Sequence, residues 1–65
     1  MADIQQAAKW MMEGKKVRRA RWAEVPCFLQ STRYGFLEDY RREPPNWLMI
    51  DDVLADDWEI FEWVN

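Results

Sequence analysis

The 65-residue sequence predicts a small α+β domain: an N-terminal helix packed on an antiparallel sheet of four to five strands, with one short helical turn before the last strand. Three observations predict it. Residues 4–12 carry an apolar stripe of helical period. Several short runs with strand character follow, separated by Gly, Pro and Asn. The last run, Trp58 to Val64, alternates between two faces that are both largely apolar. With 49% hydrophobic residues and five Trp, the chain is too apolar for a solvated coil. No repeat, linker or low-complexity tract divides it, so residues 1–65 are expected to form one domain.

Taken in order, Asp3 can cap a helix, with Gln6 three residues on as its capping-box partner. Ile4, Ala7, Ala8, Met11 and Met12 fall on one helical face, and Gly14 stands where a C-terminal cap belongs. The spacing therefore predicts a helix from residue 4 to about 13, with Lys9, Lys15 and Lys16 near its negative end. Trp10 lies off the stripe and is expected to anchor an interface. Lys16 to Trp22 reads as a strand with Val17, Arg19 and Arg21 on one side and Arg18, Ala20 and Trp22 on the other. Cys27 to Tyr34 and Phe36 to Arg41 read as a tight hairpin about Gly35. Arg42 to Asn46, with Pro44-Pro45, is a loop. Trp47 to Ile50 is expected as a short buried strand, and Asp51 or Asp52 as the cap of one helical turn ending near Asp56. A terminal strand apolar on both faces predicts a second copy over the far side of the sheet.

Composition excludes several classes. Cys27 is the single cysteine and there is no His, so neither an internal disulfide nor a structural zinc site is expected. Without His, the usual general base near neutral pH is missing, and Cys27 has nothing to activate it as a nucleophile. No catalytic residue, metal site or cofactor is expected. The longest apolar run has four residues, Trp47 to Ile50, so no membrane span is expected. The N-terminal residues have no signal-peptide pattern, and a lone free cysteine suits a reducing cytoplasm.

The net charge of −3 hides an asymmetry. Residues 1–42 carry nine Lys and Arg against five acids, whereas residues 43–65 carry seven acids and no base. Either the two halves pair with each other, or the basic half reads an anion such as phosphate. An acidic chain argues against nucleic acid as the partner of the whole molecule.

Two stretches resemble a known family. Ala8, Gly14-Lys15-Lys16-Val17, Arg19 and Trp22 are similar to an opening in which a helix ends at Gly and a strand carries Arg and Trp. Asp52 to Ile60, DVLADDWEI, is similar to that family's ending. It is a family of small phage and bacterial proteins long filed as a domain of unknown function, and it includes the phage Thoeris anti-defence proteins of the second type. The resemblance covers residues 4–22 and 47–60; the longer insertion usual in the family is here compressed into residues 27–46. It implies a cytoplasmic homo-oligomer, dimer or tetramer, that sequesters a cyclic ADP-ribose-type immune signal at a subunit interface without cleaving it.

The candidate ligand residues are Arg19, Trp22, Trp47 and Asp52. Guanidinium groups grip phosphate oxygens in pairs, and indoles stack on bases. A carboxylate accepts from a ribose hydroxyl or a base amine. Each has a plainer alternative: Trp22 and Trp47 as core, Arg19 paired with the acidic half, Asp52 as a helix cap. Alternation places Arg19 and Trp22 on opposite faces unless a bulge re-aims one of them. Asp56 and Asp57 sit where a helix dipole disfavours acids, a conflict that an arginine partner would relieve. The competing function is a protein-binding inhibitor that uses the acidic half to occupy a host defence nuclease or CRISPR complex.

Overall fold

The structure, a computed structural model, describes residues 2–22 and 25–61. Helix α1 spans Ile4–Met12. Asp3 sets its start, its carboxylate accepting the Gln6 N–H at 3.0 Å. At the other end the Lys15 N–H donates to the Trp10 carbonyl and the Gly14 N–H to the Met11 carbonyl, each at 3.0 Å. That pair of bonds is a Schellman motif and needs a left-handed residue, which Gly14 supplies at φ 88°.

Strands β1 (Lys16–Arg19), β2 (Leu29–Ser31), β3 (Leu37–Asp39) and β4 (Trp58–Phe61) form one antiparallel sheet in the order β3-β2-β1-β4. The α+β architecture is the one the sequence predicts, with four strands among the described residues. Helix α1 lies over β4, β1 and β2. Residues directly opposite each other share a face. Val17↔Ile60, Arg19↔Trp58, Val17↔Leu29 and Leu29↔Asp39 therefore line up beneath the helix. Lys16↔Phe61, Arg18↔Glu59 and Gln30↔Glu38 lie on the outer face. Ala7, Met11, Val17, Leu29 and Trp58 form the core, with Ile4, Trp10, Trp22, Trp47, Leu48 and Ala55 packed around it.

Several expectations are corrected. The buried stripe of α1 is narrower than its spacing predicts: Ala7 and Met11 are buried, while Ala8 is exposed and Met12 is 86% exposed. The helix sits toward the β4 side, so its Ala8–Met12 flank stands over a gap above β2 and β3. Trp10 is half-buried and packs on the edge of the core. The first strand stops at Arg19, three residues early, just where the Ala20 N–H makes a last cross-strand bond to the Asp57 carbonyl. Ala20–Trp22 form a 3₁₀ turn. The hairpin strands are shorter than expected and are joined by residues 32–36 rather than by a tight turn. There the Thr32 hydroxyl accepts from the Tyr34 and Phe36 N–H groups, and Gly35 takes φ 86°.

Trp47 to Ile50 is not a strand. Backbone bonds from Asn46 to Pro44 and from Leu48 to Pro45 wind it into turns, and α2 (Ile50–Val53) begins where the strand was expected to end. Met49, not an aspartate, holds the N-cap position. Asp52 sits three residues on, and its Oδ2 accepts the Met49 N–H at 3.0 Å. Of the expected final strand, Glu62 to Val64 lie outside the described residues. Among the described residues no helix is long and apolar enough to cross a membrane.

Candidate functional site

Arg19, Trp22, Trp47 and Asp52 converge at one end of the sheet. Alternation puts Arg19 beside Val17, under the helix. The 3₁₀ turn then re-aims Trp22 to the same side, as a bulge would have done. Trp22 stands between two other indoles, edge-on to Trp47 and to Trp58, each at 5.3 Å between ring centres. Such T-shaped pairs set a positive ring edge against a negative face.

The charged members of this cluster are bonded to each other. Arg19 Nη1 donates to Asp52 Oδ1 at 2.6 Å and Nε donates to Asp57 Oδ1 at 2.8 Å. Only 11% of the Arg19 side chain is exposed. The two carboxylates push the Arg19 pKa up, Asp57 most, and the Arg19 hydrogen bond in turn pulls Asp57 down. The Asp52 carbonyl also accepts from Trp58 Nε1 at 3.0 Å, in the buried interior. A phosphate reaching Arg19 would meet two carboxylates already holding it. Arg21 points to solvent from the 3₁₀ turn, its backbone N–H helping to keep Asp57 ionised.

A second polar centre, Asp39, was not singled out from the sequence. It is fully buried at the end of β3. Trp47 Nε1 donates to its Oδ2 at 2.8 Å, joined there by Arg41 Nη2 at 3.2 Å, while the Arg41 and Glu43 N–H groups bond Oδ1. These donors, the Trp47 indole foremost, hold its pKa down to about 2 against the opposing effect of burial. The signal lay in Asp39-Tyr40-Arg41: an Asp at a strand end whose carboxylate bonds the N–H two residues on, folding the chain into a turn. Arg42, at φ 61°, takes the left-handed position of that turn.

The outer face of the sheet is built differently. Phe28 stacks on Phe61 at 5.0 Å and meets the ring of Tyr40 at 6.5 Å. Lys16 Nζ lies 5.1 Å from the centre of Phe28, and the Arg18 guanidinium 5.3 Å from that of Phe61. Arg18 also donates to Glu59, directly across the ladder, at 2.7 Å. Lys16, Pro26, Phe28 and Tyr40 line an open slot of about 430 Å³. Lys16 and Tyr40 are exposed there, and among the described residues Lys16 is in no ion pair. Cys27, next to this slot, is half-buried; burial and then the Asp39 charge push its thiol pKa up, away from the nucleophilic thiolate.

No family model, curated protein or solved structure matches this chain. Its chemistry is therefore argued from these two groups of side chains.

Proposed function

We propose that the protein acts by binding rather than by turnover, sequestering a planar anion of the nucleotide class. The observation that carries this reading is the outer-face slot, where an exposed lysine stands over one aromatic ring and beside another. A base packed on the exposed ring of Tyr40 gains ~1–3 kcal/mol. A phosphate placed at Lys16 adds a charge-assisted bond of ~1.5–3 kcal/mol. The volume of the slot falls within the range of small-molecule sites. The resemblance of the two chain ends narrows the anion to a cyclic ADP-ribose-type immune signal, and so the role to anti-defence. The residues lining the slot all belong to one protomer. Absence of turnover is supported by the raised thiol of Cys27 and by Asp39, which is held ionised far below neutral pH and is poorly matched to proton transfer.

The competing reading, an inhibitor that presents an acidic face to a host nuclease, has less support. Asp52, Asp57 and Glu59 are engaged by Arg19 and Arg18, so much of the acidic half is neutralised within the fold.

Titration calorimetry and thermal shift with cyclic ADP-ribose, linear ADP-ribose, a cyclic dinucleotide and AMP test the proposal. At 100 times its dissociation constant, a true ligand adds ~2.7 kcal/mol of stability. Lys16→Ala and Tyr40→Ala should each weaken binding ~10-fold or more with the fold intact. Ligand released by heat should come back chemically unchanged. If none of the four compounds binds, or if the released ligand is altered, the reading fails.

A further inference from the structure

Helix α2 is amphipathic in the reverse sense. Its Asp52 is buried and faces Arg19, while Ile50 and Leu54, one turn apart, are 69% and 78% exposed and Met49 beside them is 63% exposed. Asp51 and Asp56 are exposed at the rim of this apolar knob, and among the described residues neither is in an ion pair. Exposed apolar patches of this kind mark contact sites.

The opposite pole of the molecule carries the complement. The antiparallel register at Val17↔Leu29 sends the β2–β3 hairpin past the start of β1, while α2 is fixed at its other end through Arg19. The overhanging flank of α1 and this hairpin enclose two adjoining concavities, of about 410 and 280 Å³. Ala8, Met12 and Leu37 supply apolar walls. Arg33 lines the rim, and Lys9 is exposed on α1 nearby; among the described residues neither is in an ion pair. The one rim acid on this part of the helix, Glu13, is paired with Lys15 at 3.1 Å.

We infer that copies of this chain associate head to tail, the Met49–Ile50–Leu54 knob of one protomer seated in the Ala8–Met12–Leu37 groove of the next. Charge decides the pairing. Knob against knob sets Asp51 and Asp56 against themselves, and groove against groove does the same with Arg33 and Lys9. Knob against groove pairs opposite signs around an apolar centre. A contact between two different surfaces at opposite poles is heterologous, so it continues into a ring or a filament. This inference is independent of the ligand proposed above.

The test is sedimentation over a concentration series with the wild-type chain, Leu54→Glu and Met12→Glu. Both substituted residues are exposed, and circular dichroism verifies the fold. If either variant is unfolded, Ile50→Glu and Leu37→Glu probe the same two patches. The wild type should grow in mass with concentration and shrink as salt is raised. Each variant alone should be monomeric, having lost affinity at least 10-fold. An equimolar mixture should form a one-to-one dimer and stop, because one intact knob and one intact groove remain. A monomeric wild type at several hundred micromolar overturns the inference. So does association that survives either substitution, or a mixture that stays monomeric as a two-fold contact requires.

Discussion

The two faces of the sheet use the same chemistry to different ends. Under the helix, Arg19 is held by Asp52 and Asp57, Trp47 donates to Asp39 and Trp58 donates to the Asp52 carbonyl, so these cations and rings are engaged within the fold. On the outer face, Lys16, Arg18, Phe28, Phe61 and Tyr40 also combine cations with rings, but Lys16 and Tyr40 remain open to solvent. Satisfaction of the polar groups separates the two faces, not residue type. Arginine and tryptophan close together in a sequence are compatible with a nucleotide site or with a core, and only the partners of the arginine distinguish them.

The comparison can be broken from the inside first. Trp58 is 2% exposed and touches both the indole cluster and the Asp52 carbonyl. Trp58→Ala should cost ~3–5 kcal/mol, enough to unfold much of so small a domain, as read by urea denaturation. Arg19→Ala leaves Asp52 and Asp57 adjacent with their shared cation gone. A loss of about 3 kcal/mol is expected in the same measurement, with Asp52→Asn as a second substitution restoring part of it. If Arg19→Ala is as stable as the wild type, the inner set is not a clamp and Arg19 returns as a ligand group.

Smaller effects sharpen the contrast. Trp47→Phe keeps a ring beside Trp22 but withdraws the indole N–H from Asp39, and should cost ~1–2 kcal/mol in thermal denaturation. The acid limb reports on the same centre. Asp39 titrates at about 2 in the fold, below the ~3.9 of a free side chain, and Asp57 is shifted in the same direction. Their contribution is complete above about pH 4 and is lost as pH falls toward 2, and Asp39→Asn should flatten that limb of the stability curve. Least of all, Lys16→Ala and Tyr40→Ala should leave stability within ~0.5 kcal/mol, because both side chains are exposed. A larger loss from either would show the outer face to be structural as well.

Much of this frame was legible, for reasons that can be named. The Asp3 cap, the Ile4–Met11 stripe and Gly14 fix the first helix because each acts within a few residues. The charge asymmetry announced the pairing of Arg19 and Arg18 with the acidic half, but not that Arg19 would meet Asp52 and Asp57 and Arg18 would meet Glu59. The missed features depend on distant chain. The strand expected at Trp47–Ile50 had the right composition and lost to the turns that Pro44 and Pro45 start. Met12 belongs to the stripe by spacing but stands over an open concavity toward Ser31 and Leu37. Asp39 was not singled out because its main partner, Trp47, lies across a loop.

The pairing of β1 with β4 has a kinetic meaning as well. Gln30 and Glu38 meet across eight residues of chain, Arg18 and Glu59 across 41. Closing the longer loop costs about 1.4 kcal/mol more in chain entropy. The β2–β3 hairpin is therefore expected to assemble early and the β1–β4 ladder last. In stopped-flow experiments Arg19→Ala should then accelerate unfolding and leave the refolding rate nearly unchanged. How long one molecule stays folded would be decided by its latest-formed contact, held at the ladder's end by a single guanidinium between two carboxylates.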